Sequence, residues 1–154
     1  MISVDSNLLL YAYSTAAPEH GPALDFLQSL AGRADVALSE FVLAEFYLLL
    51  RNPAVLAKPL SARAASAVIQ GYRQNLAWLV FEFPPRPLSL HDEYWLRDCA
   101  AKFNRRRLYD ARTALALRSF GVTEFATTNV KDFAGFGFAR VWNPLTARRA
   151  VRSA

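Results

Sequence analysis

Five short apolar stretches, three to six residues long, punctuate this chain, and longer segments with helical patterning lie between them. They are Ile2-Ser3-Val4, Val36-Ala37-Leu38, residues 78–83, residues 124–127 and Arg140-Val141-Trp142. Strands that alternate with helices can bury both faces only in a parallel sheet covered on each side. The pattern therefore predicts an α/β fold, a three-layer α/β/α sandwich around a mainly parallel sheet of four to five strands. Helices are predicted over residues 8–12, 18–30, 39–51, 61–75, from Ser89 onward, and over 109–120. Asp5-Ser6-Asn7 and Ser39 supply N-cap residue types, Asn52-Pro53 and the Pro84-Pro85-Pro87 run supply stops, and Gly121 supplies a C-terminal signal. No repeat, low-complexity segment or internal boundary interrupts the pattern. One domain over residues 1–145 is expected, with residues 146–154, which carry Arg148, Arg149 and Arg152, as a basic tail.

A 154-residue chain that is 53% apolar and 20% charged is long and apolar enough for a packed core, which excludes a disordered chain. Its one cysteine, Cys99, excludes an internal disulfide and a cysteine-based zinc site, and its two histidines, His20 and His91, make a histidine cluster a poor expectation. A metal site here falls to carboxylates, whose hard oxygens favour Mg²⁺ or Mn²⁺. The net charge of +5 suits a polyanionic partner such as nucleic acid, or a partner with an acidic tail. The N-terminus lacks the basic start and apolar run of a secretory signal, and charged residues or proline interrupt each apolar run before membrane-spanning length. A cytoplasmic protein is expected.

Ligands of open parallel sheets gather at the carboxyl ends of the strands, so acids placed there carry the most information. Asp5 follows the first strand directly, and Asp132 follows the strand that ends near Thr127. Each also has a plain structural reading, as a helix cap or a turn residue. Glu45 lies in Phe41-Val42-Leu43-Ala44-Glu45-Phe46-Tyr47-Leu48-Leu49-Leu50, which is apolar almost all round. A carboxylate buried in such a helix needs a cation opposite it, either an arginine or a metal ion. Asp110 stands in the first turn of a helix, four residues after Arg106 and just before a run of small apolar residues, Ala111 and Thr113-Ala114-Leu115-Ala116-Leu117.

With these residues in place, the chain resembles the PIN-domain ribonucleases, in particular the VapC-like toxins of toxin–antitoxin modules. The resemblance is carried by Val4-Asp5-Ser6-Asn7, by residues 39–53 with Glu45, by Tyr109-Asp110-Ala111, by Ala126-Thr127-Thr128-Asn129-Val130-Lys131-Asp132-Phe133 and by Val141-Trp142-Asn143-Pro144-Leu145. It implies a PIN-like fold, with Asp5, Glu45 and Asp110 as the principal acids and metal ligands. The fourth acidic position falls at Asp132 or at Asn129, of which only Asp132 is acidic. Asn7, Thr127 and Asn129 would position a phosphate or water. Arg105, Arg106, Arg107 and Lys131 are candidate phosphate contacts, each equally readable as a solvated surface charge. The resemblance further implies Mg²⁺-dependent (or Mn²⁺-dependent) hydrolysis of single-stranded or looped RNA such as tRNA or mRNA, a small antitoxin that offers a basic residue to the acids, and a homodimer.

The chemistry is consistent on its own terms. Clustered carboxylates repel one another until a divalent cation neutralises them, and such a cation can activate water against a phosphodiester. A haloacid-dehalogenase-type phosphatase is disfavoured, because Asn7 stands where a second Asp is needed. A dinucleotide-binding protein is disfavoured because no Gly-rich loop follows the first strand. A catalytically inactive PIN-like module that binds only RNA or protein is the alternative from a different class.

Overall fold

The computed structural model describes residues 1–82, 84, 87–98 and 107–149. In chain order the elements are β1 (Ile2–Val4), α1 (Ser6–Tyr13), α2 (His20–Leu30), β2 (Ala37–Ser39), α3 (Glu40–Leu50), α4 (Ala62–Arg73), β3 (Leu79–Phe81), α5 (Pro87–Asp98), α6 (Arg107–Ser119), β4 (Glu124–Ala126), α7 (Val130–Phe133), β5 (Arg140–Trp142) and α8 (Pro144–Arg149). Local chemistry sets several boundaries. The hydroxyl of Ser39 accepts from the Val42 amide (3.3 Å) and that of Ser61 from the Ala64 amide (3.2 Å), so each caps its helix. Gly121, at φ +82°, takes the left-handed conformation that closes α6, with the Val122 amide returning to the Leu117 carbonyl at 3.1 Å. Residues 146–149, expected in the basic tail, belong to α8 (Pro144–Arg149), whose Leu145 is buried against the core. Residues 150–154 lie outside the described part.

Every strand pairing among the described residues is parallel. The main sheet has three strands in the order β1-β4-β5, and β2 and β3 form a second pair. This corrects the expected sheet of four to five strands. The two sheets lie edge to edge, but only one bridge, Ile2 to Val36, joins them, supported by the Ile2 amide on the Asp35 carbonyl at 2.9 Å. The cause is local: α1 begins at Ser6 and α3 at Glu40, directly after β1 and β2. Neither strand is long enough to extend a ladder between them.

Side chains alternate across the strands and feed two cores. Ile2, Val4, Leu38 and Ala126 pack with Leu8, Leu9, Leu27, Leu43 and Phe46, from helices α1 to α3. Ala37 and Phe125 pack on the other side with Ala111, Ala114 and Leu117 of α6 and Phe133 of α7. Helices therefore cover both faces of the parallel strands. Phe125, fully buried, holds its face through ring contacts with Phe133 (4.6 Å) and Phe138 (5.3 Å), and burial of such a ring stabilises the fold by about 1.5–3 kcal/mol. The indole N–H of Trp78 donates to the Leu30 carbonyl at 3.0 Å, which pins the entrance to β3 onto the end of α2. Among the described residues no helix is long and apolar enough to cross a membrane.

Candidate active site

Asp5 leaves the carboxyl end of β1 at the N-cap position of α1, yet its side chain makes no capping hydrogen bond. It is buried, 6% exposed, and turns instead toward the end of β4. Thr127 Oγ1 donates to Asp5 Oδ2 at 2.5 Å, Asn7 Nδ2 donates to the same oxygen at 2.7 Å, and Ser6 Oγ donates to Oδ1 at 3.3 Å. The Asn129 amide donates to Thr127 Oγ1 at 2.9 Å, and this fixes the threonine hydroxyl with its proton toward Asp5. Asn7 Nδ2 also reaches Thr127 Oγ1 at 3.3 Å. Because a carboxylate only accepts, the amide of Asn7 must present its NH₂ to Asp5, and its Oδ1 is left buried without a partner among the described residues.

Three donors are not enough to keep Asp5 a normal acid. Burial pushes its pKa up from 3.8 to about 6, against the lowering effect of Thr127 and Ser6, and the charge of Glu45 raises it further. Asp110, in the first turn of α6, is likewise raised to about 6, by burial first and then by the charges of Asp132, Asp5 and Glu45, with Arg107 opposing. Asp5 follows β1 directly, and Glu45, Asp110 and Asp132 lie on α3, α6 and α7; the charge of Glu45 bears on Asp5, and those of Asp132, Asp5 and Glu45 bear on Asp110. Mutual repulsion of this kind is what a divalent cation relieves.

Glu45 departs from the sequence expectation. It is exposed, not buried in an apolar helix. Val42, Leu43, Phe46 and Leu50 form the buried face of α3, and the 3.6-residue period turns Ala44, Glu45 and Leu48 outward. The desolvation argument for a cation opposite Glu45 therefore does not hold, and its link to the site is its charge on Asp5 and Asp110. Asp132 is also exposed, on α7.

The remaining expected residues divide. Asn7 and Thr127 touch Asp5 directly, whereas Asn129 contributes its backbone N–H to Thr127. Arg107 donates through Nη2 to the Asp132 carbonyl at 2.8 Å and lies 6.0 Å from the Phe136 ring centroid, so it ties α6 to α7 as well as opposing the negative charge. Lys131 is exposed on α7, and Arg105 and Arg106 lie outside the described residues. Two features escaped the sequence reading. Ser6, placed there among the helix-capping types, is a direct donor to Asp5. The Arg112 guanidinium stacks over Phe41 (4.4 Å) and Tyr109 (5.5 Å) beside the acids. Their spacing held the signal: Phe41 precedes Glu45 by one helical turn, and Tyr109 and Arg112 are three apart around Asp110.

The donor set is carboxylate, amide and hydroxyl oxygen, and the unpaired Asn7 Oδ1 beside a charged Asp5 adds a neutral acceptor of the same kind. These are ligands for a hard divalent cation. Among the described residues, however, no three His, Cys, Asp or Glu side chains are arranged to hold one ion together. The chemistry fits such a cation, and the closed ligand shell is not formed.

Comparison with known proteins decides the family. The chain is 48% identical over 147 residues to Ribonuclease VapC24 of Mycobacterium tuberculosis, in an alignment that covers 96% of this chain and 99% of the relative. The chain belongs to the VapC family of PIN-domain ribonucleases. Solved structures with the same fold include Mycobacterium tuberculosis VapC20, a sarcin–ricin loop-cleaving toxin, at TM-score 0.65 and 22% identity, covering 90% of this chain and 96% of that one. A second is VapBC2 of Rickettsia felis bound to a DNA fragment from its promoter, at TM-score 0.62 and 17% identity, covering 93% of this chain and 98% of that one. No protein-family model matches the chain. At these identities the two structures speak for the fold alone. Within that VapC fold, Asp5 and Thr127 sit at the carboxyl ends of adjacent strands β1 and β4, the edge at which parallel sheets bind ligands.

Proposed function

We propose that this VapC-family chain is an endoribonuclease that uses Mg²⁺ or Mn²⁺ to hydrolyse single-stranded or looped RNA, and that it is the toxin of a pair silenced by a small antitoxin. The observation that carries the reading is the electrostatic linkage of Asp110 to Asp132, Asp5 and Glu45, with Asp5 and Asp110 both pushed up to about 6 by burial first and then by neighbouring carboxylates. Near-full-length similarity to a protein named a ribonuclease supports RNA as the substrate, and the net charge of +5 supports a polyanion. The complex from Rickettsia felis supports an antitoxin partner. The reading also takes in a homodimer.

Asp5, Glu45 and Asp110 would hold the cation, and Asp132 would complete the site or orient water. When bound, a divalent ion neutralises the carboxylates and acidifies water for attack on phosphorus. The protein's own contribution is positional. Thr127 and Asn7 hold one Asp5 oxygen from two sides, and Ser6 holds the other, so the carboxylate cannot rotate away. Asn7 Oδ1 is a buried acceptor with no partner among the described residues, and Arg107 and Lys131 are the described candidates for phosphate contacts.

The test is cleavage of a mixed tRNA and mRNA pool by the antitoxin-free protein with Mg²⁺ or Mn²⁺. Discrete cuts that vanish with EDTA and with Asp5→Ala establish the reading. Folded protein that cuts nothing with any divalent metal would leave the binding-module alternative standing, and cuts that survive Asp5→Ala would mean that the site is elsewhere.

A further inference from the structure

A cavity of about 160 Å³ to which the reaction assigns no role is lined by Tyr11, Glu19, Pro22, Thr128, Asn143 and Thr146 among others. Two chain segments tie it to the site. Thr128 follows Thr127, the direct donor to Asp5. Tyr11 lies one helical turn beyond Asn7 on the same face of α1, about 5–6 Å away between Cβ atoms. Asn143 directly follows β5 and Thr128 lies just past β4, so part of the lining comes from the carboxyl edge of the sheet, the edge at which Asp5 follows β1. Its volume is well below the roughly 300–1,000 Å³ of pockets that take larger ligands, which fits a single flat ring system.

The polar groups that line it have unused capacity. Glu19 is half-buried at the start of α2, makes no capping hydrogen bond, and has no partner among the described residues. Asn143 spends its Oδ1 on the Leu145 amide (2.9 Å), which leaves its Nδ2 hydrogens free to donate. Thr146 Oγ1 gives its proton to the Asn143 carbonyl at 3.0 Å, which leaves its lone pairs as acceptors. Tyr11 forms part of the lining.

We propose that this cavity holds the base of a nucleotide flanking the cut, and that guanine fits it best. The carboxylate of Glu19 offers two oxygens to the adjacent N1–H and N2–H₂ donors of guanine, and the Asn143 NH₂ can donate to its O6. Adenine and uracil each lack that pair of neighbouring donors, and cytosine presents only its N4 amino group beside an acceptor. The Tyr11 ring supplies a stacking surface that accepts any base, so the edge contacts set the preference. The inference rests on the nuclease reading for its place in the reaction, but not for binding.

Two measurements test it together. Cut ends from a random-sequence single-stranded RNA pool with Mg²⁺ are sequenced for wild type, Glu19→Gln and Asn143→Asp, the last of which keeps the Oδ1 cap on Leu145. In parallel, metal-free protein is titrated with GMP, AMP, CMP and UMP and followed by NMR. The expected result is a guanine preference at one position next to the cut that falls roughly ten- to a hundredfold in both variants while total cutting is retained. GMP should shift the Glu19, Thr128 and Asn143 signals in wild type and not in Glu19→Gln. Cutting with the same base preference in all three proteins overturns the proposal and leaves the nuclease standing. GMP shifts without any cutting overturn the nuclease reading and keep the base site, and neither cutting nor shifts overturn both.

Discussion

The acidic cleft has two halves, held in different ways. The half built on strand ends is tied by hydrogen bonds: Asp5 accepts from Thr127, Asn7 and Ser6, and Thr127 is itself fixed by the Asn129 amide. The half built on helices has no such ties. Neither Glu45 nor Asp110 receives a hydrogen bond from a described residue, and what links them to Asp5 is charge. The difference follows from where each element can be braced. A residue one step past a buried parallel strand sits among the backbones and side chains of its neighbours, whereas a residue on a helix face projects into the cleft alone. The strand half is thus set by hydrogen bonds within the chain, and the helix half is not.

The sharpest challenge to that division is to neutralise the untied half. Asp110→Asn and Glu45→Gln, assayed for RNA cleavage at fixed Mg²⁺, should each lose on the order of a thousandfold or more, because each removes several kcal/mol of charge stabilisation. Losses below tenfold for both would confine the working site to Asp5 and its hydrogen-bonded neighbours.

A stability measurement probes the tied half without any reaction. Asp5 has a folded-state pKa raised from 3.8 to about 6, mainly by burial. Between those values the folded protein binds more protons than the unfolded one, so stability is highest below about pH 4 with respect to this group and falls as pH rises through about 6. The loss is roughly 3 kcal/mol once Asp5 is fully charged. Asp5→Asn removes it, since the amide can keep its oxygen toward Thr127 and Asn7 and turn its NH₂ to Ser6 Oγ. In EDTA at pH 7.5 this variant should melt several degrees above wild type, with the gap closing near pH 4. An equal or lower melting temperature at pH 7.5 would show that the hydrogen bonds already compensate the buried charge.

Thr127→Val removes the hydroxyl at the centre of the strand half while conserving its shape. Positioning groups of this kind change metal affinity or activity by about 10–100-fold. The expected signature is a rise in the Mg²⁺ concentration for half-maximal cleavage, larger than the change in rate at saturating Mg²⁺. An unchanged Mg²⁺ dependence would mean that Asp5 needs no help from β4.

Much of this contrast was readable before any coordinates. Ile2-Ser3-Val4 and Arg140-Val141-Trp142 form the expected strands residue for residue, because short apolar runs flanked by cap and turn residues leave little alternative. Ser39 and Ser61 mark their helix starts for the same local reason. What escaped the reading depended on direction. The uniform apolarity of residues 41–50 hid which face of α3 is buried, so Glu45 was misjudged as a buried acid. Of the strand expected over residues 78–83, Leu79–Phe81 forms β3, Trp78 is drawn to the Leu30 carbonyl instead, and Phe83 lies outside the described residues. Ser6 looked like one more capping residue, and only the turn of the Asp5 side chain toward Thr127 makes it a donor in the site.

The smallest expected effect belongs to Asp132, and it bears on where the helix half ends. Asp132 is exposed on the four-residue helix α7, and its backbone carbonyl, not its carboxylate, is what Arg107 holds. Its charge still raises Asp110 more than that of Asp5 or Glu45 does. An exposed carboxylate interacts through water and is screened by salt, so its effect on the reaction is small. Asp132→Ala should therefore reduce cleavage by no more than about tenfold, with the loss shrinking as KCl is raised. A thousandfold loss, insensitive to salt, would instead place Asp132 in direct contact with the cation, and the cleft would then close around its ligand from α7 as well as from α3 and α6.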